Sequence, residues 1–479
     1  MPSGSSAPSS EGSASGVVAR NFLALGSGEA LARIVAFGAT VYIARTLGPA
    51  SYGVIGVAAA VMLYLGRVAD FGIEQGLGLR EIAAHHRSAT PLITSLVTVR
   101  MAWSLVLSLA VAVGSLVFAP EPEASVLAVM AIVLAVQGGN VRWVHLGFER
   151  TGMVAVARTV GELVMVGAIV LLVHDPGDLA RVPLAQVVGD SVLVLLLAVS
   201  LRRAGLPLRL HIDRSRIAPL LPRAVPLMLS ALLGLIIFNS DLIFLRIFRS
   251  AGEAGYYAAA YGLISFMINL GGAYSQSLLP TLTRLGARGD DQHRMYTEAT
   301  AQVFAVTLPA TLGVALLAPI IVRTIFGPAY APAAGALVWL SGSVFLLLVR
   351  GVPNVALLAR GREDRVFQIN LVATVVNLTL NVILIPRYGI LGAAWSTFAT
   401  EAIRFVTAQG FARWEGFPLP LMRRMWRSAL AGAALIAAVQ LTPTDTLWWP
   451  IGSGAMAYLG ILSLAGGIRW QGIRPRLTV

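Results

Sequence analysis

Apolar runs of about 18 residues or more recur from residue 21 to residue 468 of this chain, and that is the length an α-helix needs to cross a bilayer. A strand barrel is excluded, because its segments of about ten residues alternate polar and apolar and none here does. Charged residues make up 12% of the sequence, about half the share in a soluble domain. The expected fold class is an all-α polytopic membrane protein. Spans fall at 21–45, 51–75, 92–118, 124–147, 152–174, 183–201, 224–248, 254–280, 298–325, 332–358, 363–386, 389–412, 427–443 and 446–468. That makes fourteen transmembrane helices.

The net charge is +13, and all 36 basic residues are Arg. In a soluble chain such a balance would raise nucleic acid as a partner. In a polytopic one it sets orientation, because basic residues collect in cytoplasmic loops. With the N-terminus inside, Arg80, Arg87, Arg150, Arg202, Arg203, Arg209, Arg284, Arg288, Arg360, Arg362, Arg413 and Arg474 all fall on the cytoplasmic side. The opposite loops "APEPEAS" and "TPTDT" hold no base. Both termini are expected in the cytoplasm, no nucleic-acid partner is expected, and the outer loops are short. The start, "MPSGSSAPSSEGSASG", reads as a disordered tail over 1–18, without the basic-then-apolar order of a signal peptide.

The chain repeats itself. "IARTLGPASYGVIGVAAAV" (43–61) aligns with "FLRIFRSAGEAGYYAAAYGL" (244–263): an Arg ends one helix, small residues turn, and a Tyr–Gly or Gly–Tyr pair opens the next. The offset is six helices, so the repeats are parallel, related by an axis along the membrane normal. This divides the chain into a tail (1–18), a first lobe (19–201), a basic linker (202–223), a second lobe (224–412) and a C-terminal helix pair with its tail (413–479). The linker, "LRRAGLPLRLHIDRSRIAPLLPRAVP" with its flanks, reads equally as a basic segment lying on the inner leaflet and as an ordinary positive-inside loop.

The chemistry of catalysis is missing. There is no Cys, so no disulfide or thiolate ligand. The six His are scattered without metal spacing. "LGSGEALA" contains Gly-x-Gly, but it opens an apolar helix and no Gly-Lys-Ser/Thr follows. No catalytic residue, metal site or cofactor is expected, and the chain is not expected to be an enzyme.

Several segments resemble a known family, the polysaccharide transporters or O-antigen (Wzx-like) flippases of the multidrug/oligosaccharidyl-lipid/polysaccharide (MOP) exporter superfamily. "ARTLGPASYG" resembles their first outer turn. "RWVHLGFERTGMVAVART" (142–159) resembles their fourth-to-fifth helix junction, with Val144-His145 in place of the usual Phe-Gln. "FNSDLIFLRIF" (238–248) resembles the seventh helix, and "AGYYAAAYGL", "QSLLPTLTRL", "FGPAYAPAAGAL" and "NLTLNVILIPRYGILGAAWSTFATE" follow in the family's order. The resemblance covers residues 20–412, and the last two helices resemble the extra pair of fourteen-helix relatives, including lipid II flippases.

That resemblance implies two pseudo-symmetric six-helix lobes in a MOP/MATE-like V plus two C-terminal helices, working by alternating access in a bacterial cytoplasmic (inner) membrane. It implies an undecaprenyl-pyrophosphate-linked oligosaccharide as cargo, carried from inner to outer leaflet during O-antigen, exopolysaccharide or capsule synthesis. Expected partners are that lipid-linked oligosaccharide, membrane lipids, a coupling cation (H+ or Na+), and a glycan polymerase with other polysaccharide-assembly proteins. The alternatives are a multidrug or organic-cation antiporter of the same superfamily and a lipid II flippase. A membrane-embedded polymerase or ligase would need a large outer loop for its chemistry.

Charges inside the spans supply the candidate site. "SGEALARIVAF" (27–37) places Glu29 and Arg33 one turn apart in an apolar helix, about 12 and 18 Å from its cytoplasmic end. Arg67 and Asp70 lie about 10 and 6 Å from theirs, and Arg100 about 12 Å. Arg158, Glu162 and Arg350 fall in the same half. Charges at such depth must face a cavity or a partner. Glu29–Arg33, Arg67–Asp70 and Arg158–Glu162 could each be a private ion pair at helical spacing. Arg100 and Arg350 have no acid within a turn of their own helices. The expectation is a cationic cavity in which Arg33, Arg67, Arg100 and Arg350 bind the pyrophosphate through their planar donor forks. Glu29 and Asp70 would balance charge or bind the coupling ion. Asp241, near the outer end of the seventh helix, could serve as a gate contact or an ion ligand. Asp190 and Glu401 are expected to hydrogen-bond locally, and Tyr52, Tyr256, Tyr257 and Trp449 to anchor the outer interface.

Overall fold

Two helices are too long for one crossing, and a glycine breaks each. In this computed structural model the described residues are 11–74, 78, 82, 90–206, 210–285, 289–418, 425–443, 446–471 and 474–477. Side chains are described from residue 34 onward, apart from 221, 223, 230, 238, 269–277, 280, 289 and 468–477. Helix α1 (Glu11–Asp70) has 60 residues, about 90 Å at 1.5 Å per residue, against a hydrocarbon core of about 30 Å. It breaks at Gly48 (φ 76°, ψ 173°), and Pro49 opens its second half. Helix α13 (Glu363–Trp414) breaks likewise at Gly389 (φ 56°, ψ −131°). A Cβ on Gly392 would overlap the Leu384 carbonyl oxygen, so the chain doubles back there. Gly48 falls between the spans 21–45 and 51–75, and Gly389 is the first residue of the span 389–412.

The other helices follow the expected order. They are α2 (Thr90–Phe118), α3 (Glu123–Gly138), α4 (Arg142–Gly147), α5 (Thr151–Leu172), α6 (Arg181–Arg203), the one-turn α7 (Arg214–Ile217), α8 (Leu221–Phe248), α9 (Ala251–Leu285), α10 (Gly289–Leu316), α11 (Ala318–Phe326), α12 (Ala333–Ala359), α14 (Trp426–Leu441) and α15 (Trp448–Leu464). Two expected spans are each split in two, 124–147 into α3 and α4 and 298–325 into α10 and α11. Among the described residues eight helices are long and apolar enough to cross a membrane, nine with α8, which bends by 59° between Ile237 and Asn239. The protein is a multi-pass helical membrane protein. Where the sequence left an arginine-rich tail, a short antiparallel hairpin closes the chain, β1 (Ile468–Gln471) with β2 (Arg474–Leu477).

Helix α2 shows the solvent that selected this sequence. Beyond Val97 its buried residues are all polar, Arg100, Ser104, Ser108 and Ser115, while Leu105, Leu109, Leu116 and Phe118 are exposed. That is a soluble amphipathic helix turned inside out, as hydrocarbon requires.

The chain forms two compact units: residues 1–47 with 61–232, and residues 48–60 with 233–479. In unit one, Trp143, Leu197, Leu201, Leu96 and Ile82 form the core. Gly161 on α5 faces the Gly189 carbonyl on α6 at 3.0 Å from its Cβ position, the close approach small residues permit between membrane helices. In unit two, the part of α1 just past Gly48 crosses the start of α9 with no room for side chains. A Cβ on Gly53 would overlap the Ala251 oxygen, and one on Gly255 the Pro49 oxygen. These glycines lie in the two repeated segments, so each repeat supplies one side of the crossing.

Gly53→Ala and Gly255→Ala should each destabilise the protein by about 1–3 kcal/mol, the range for overpacking a tight contact. Gly38→Ala, with nothing within 4 Å of its Cβ position, should be neutral. Thermal unfolding in detergent, followed by tryptophan fluorescence, separates the three; equal melting would contradict the crossing.

Candidate functional site

Unit one holds a charged network where α1 ends. Phe71 (φ 52°) and Gly72 (φ 77°) take left-handed conformations, and a Cβ on Gly72 would lie 2.8 Å from the Ala224 oxygen. The turn sets Asp70 and Glu74 beside α2. There Arg100, about 15 Å along α2 from Thr90, is buried. Its Nη2 lies 3.4 Å from Asp70 Oδ1 and 3.4 Å from Glu74 Oε2. Its Nη1 donates to the Asn140 carbonyl at 3.0 Å, and its Nε, also buried, has no partner among the described residues. Glu74 Oε1 lies 3.6 Å from Arg142 Nη1 on α4, and the Glu74 amide donates to both Asp70 oxygens at 3.1 Å.

Unit two holds a second network. Arg350 on α12 donates through Nε to Glu401 Oε2 at 3.2 Å. Arg404, one turn along α13, donates to Glu401 Oε1 and reaches Asn370 Oδ1 at 2.7 Å. All three ionic side chains are buried, so one carboxylate serves two guanidiniums.

The third cluster surrounds Asp241, which is 1% exposed. Tyr257 donates to its Oδ2 at 2.5 Å, Thr397 to the same oxygen at 2.7 Å, and Asn381 Nδ2 to Oδ1 at 2.6 Å. Asn377 and Ser240 complete the shell: Asn377 Oδ1 accepts from Ser240 and from Asn381, each at 3.2 Å. Among the described residues no base pairs with this carboxyl. The doubling of α13 at Gly389 supplies Asn381 from one half and Thr397 from the other, and Asp241 sits just past the bend in α8. Three neutral donors thus point at the carboxylate, and its two oxygens with the Tyr257 and Thr397 hydroxyl oxygens are the atoms that could hold a proton or a small hard cation.

These positions correct part of the sequence reading. Arg100 and Arg350 are not surplus: each is paired with carboxylates from other helices, which one-dimensional spacing could not show. Asp70 is in close contact with Arg100, while Arg67 acts on Asp70, and Arg158 on Glu162, only as a more distant charge. Arg67 is half-buried in the last turn of its helix, where a cation complements the helix dipole. Glu401 makes the expected local bond, to Arg404 one turn along its own helix, and adds a long-range ion pair to Arg350. Asp190 bonds Gln186 on its own helix and Gln137 on α3. Tyr257 is a buried donor to Asp241 and not an interface anchor. Tyr52, also buried, packs edge-on against Tyr330, with ring centroids 6.2 Å apart, and so does Tyr256. Trp449 is 72% exposed, as an anchor should be. The side chains of Glu29 and Arg33 lie outside the described residues. Sequence reasoning missed Glu74, Arg404, Asn377, Asn381 and Thr397. The run "NLTLN" (377–381) was the available signal, two amides one turn apart in a membrane helix.

Comparison with known proteins places the chain. The family model described as polysaccharide biosynthesis protein matches residues 18–286, more than half of its length. The chain belongs to the polysaccharide biosynthesis protein family. Two similar family relatives are from Haloferax volcanii. The probable low-salt glycan biosynthesis flippase Agl15 is 24% identical over 168 residues, 35% of this chain and 36% of the relative. The probable flippase AglR is 29% identical over 175 residues, with the same coverage. The matches thus span about a third of those proteins' length. Among solved structures, the lipid II flippase MurJ in an inward closed conformation superposes with a TM-score of 0.78 at 14% identity, covering 92% of this chain and 98% of that one. An inward-facing multidrug resistance MATE family transporter of the MOP superfamily gives 0.62 at 14% identity, covering 80% and 94%. At these identities they establish a shared fold, the expected MurJ/MATE-like one.

Glu401→Gln should destabilise the protein by about 3–5 kcal/mol, because it strands two buried guanidiniums. Replacing Arg350, Glu401 and Arg404 together by Met should cost much less. Denaturation of the variants in micelles checks this, and equal losses would show that the triad does not act as an ion cluster.

Proposed function

We propose that this protein is a flippase that carries an undecaprenyl-pyrophosphate-linked oligosaccharide from the inner to the outer leaflet by alternating access, serving polysaccharide assembly. Family membership supports the class. One structural observation carries the reading of the headgroup site: Arg100 is buried within the membrane yet loosely paired. Two contacts at 3.4 Å to a single nitrogen, with Nε unused, fall short of the bidentate geometry that makes a guanidinium–carboxylate pair strong. A pyrophosphate offers more oxygens, more charge and a better fork, so it can displace Asp70 and Glu74 from Arg100. Arg33, in the first half of α1, and Arg67, in its last turn, are proposed to extend that site, with Glu29 balancing Arg33. Arg350 is the proposed counterpart in unit two, released when Glu401 stays with Arg404.

Asp241 is the proposed coupling site. Its carboxyl lies in a cage of neutral donors, so binding a proton or a sodium ion changes the charge of that cage by one unit, and rearrangement of Tyr257, Asn381 and Thr397 follows. Unit two also holds an apolar cavity of ≈ 400 Å³ between Met267, Leu317, Leu435, Val439 and Gly454, a surface suited to a hydrocarbon chain.

Proteoliposomes loaded with a fluorescent undecaprenyl-pyrophosphate disaccharide should show protein-dependent flipping. Arg100→Gln should reduce the rate at least about tenfold, the loss of one charge-assisted contact of ~1.4 kcal/mol or more, while leaving membrane insertion intact. Asp241→Asn should flip at a rate no longer responsive to an imposed proton or sodium gradient. Transport of ethidium with none of the lipid-linked saccharide would establish an antiporter instead, and exclusive transport of lipid II would reassign the cargo.

A further inference from the structure

Unit one contains an apolar cleft that borders the proposed headgroup site at Arg100 and shares no residue with the coupling site. It measures ≈ 230 Å³ and is walled by Phe71 at the end of α1, by Leu96 and Trp103 on α2, and by Ile217, Leu220 and Ala224 where the linker runs into α8. Its surface is apolar apart from the flank of Arg100, whose charge Asp70 and Glu74 already answer. The depth of the cleft therefore offers no net charge and suits a hydrocarbon chain. Leu96 and Trp103 lie about 9 and 20 Å along α2 from Thr90, the level of acyl chains in one leaflet of a core about 30 Å thick.

The linker that leads into the Ile217 wall is rich in arginine. Arg214 sits one turn before Ile217 and is exposed, with no acidic partner among the described residues. Arg216 shares Asp213 at 2.9 Å, and Arg202 and Arg203 end α6 exposed. Leu210 and Ile212, 75% and 47% exposed, stand between these bases. The linker is pinned in place: the His211 amide donates to Thr98 Oγ1 at 3.1 Å and the Asp213 amide to Ser95 Oγ at 3.0 Å. Asp213 then caps α7 by accepting from the Ser215 amide. Two latches to α2 thus hold a guanidinium at the rim of an apolar slot.

We propose that this slot is a binding site for an anionic glycerophospholipid of the leaflet at the arginine-rich end, with one acyl chain in the cleft and its phosphate on Arg214. The lipid is a resident and not cargo. A headgroup at the interface with a chain running along α2 is how a leaflet phospholipid already stands, and basic clusters beside membrane helices attract such lipids.

Trp103 reports directly, since a brominated acyl chain quenches a neighbouring indole. The difference between wild-type and Trp103→Phe fluorescence isolates its signal in phosphatidylcholine vesicles doped with brominated phosphatidylglycerol or brominated phosphatidylcholine. Half-quenching should need an about fivefold lower mole fraction of the anionic lipid, the preference one surface guanidinium confers. Arg214→Gln should remove that preference. Mass spectrometry of co-purified lipid, which needs no Trp substitution, should show one phosphatidylglycerol fewer per protein in Arg214→Gln. Equal quenching by both lipids, or a preference and lipid count unchanged in Arg214→Gln, overturns the proposal. So does displacement of the quencher by an equal mole fraction of undecaprenyl phosphate, which would give the slot to the cargo's chain.

Discussion

Hydrocarbon does not solvate charge, and in this protein that constraint decides which face of each helix is inside. A guanidinium or carboxylate within a span needs a partner from another helix, a wet cavity, or the membrane surface. Arg100, Arg350, Asp70 and Glu401 meet the requirement by pairing across helices and Arg404 by sharing Glu401 one turn away, and beyond Val97 the residues that α2 buries are all polar. Packing in both units follows from this, because polar contacts are where the helices must come together and glycines such as Gly161 and Gly189 let them do so.

The same constraint explains why the breaks in the helices matter. A regular helix presents its side chains at fixed spacing, and no regular pair could surround Asp241. The bend in α8 and the reversal at Gly389 bring three backbone segments to one point, and Tyr257 of α9 closes it. At the other end, the left-handed pair Phe71–Gly72 turns the chain so that Asp70 and Glu74 reach Arg100. Both proposed sites sit at interruptions in helical structure, where irregular backbone at membrane depth is tolerated because protein surrounds it.

Much of the fold was legible in one dimension. Span length and the placement of arginines need only local sequence, and the Tyr–Gly repeat marked both sides of the crossing between Gly53 and Gly255. The ionic partners were not legible, because Arg350 and Glu401 are 51 residues apart and Arg100 and Asp70 thirty; helical spacing describes only neighbours on one helix. It therefore favoured Arg67 for Asp70, when the turn after Asp70 had already carried that carboxylate to α2. Tyr257 looked like an interface aromatic for a similar reason: its place in the sequence gives its height in the membrane but not its facing. Asp241 was visible as an acid near a span end, and its cage was not, since its ligands come from α9 and from both halves of α13.

The central claim is that Arg100 exchanges its carboxylates for phosphate. The most direct measurement is the melting temperature of detergent-solubilised protein titrated with undecaprenyl pyrophosphate, with undecaprenol as the uncharged reference. Ligand binding to the folded state alone raises stability by about 2.7 kcal/mol at a hundredfold excess over Kd. The account predicts a rise with the pyrophosphate, little with undecaprenol, and loss of the difference in Arg100→Gln. A pyrophosphate-specific rise of the same size in Arg100→Gln would contradict it.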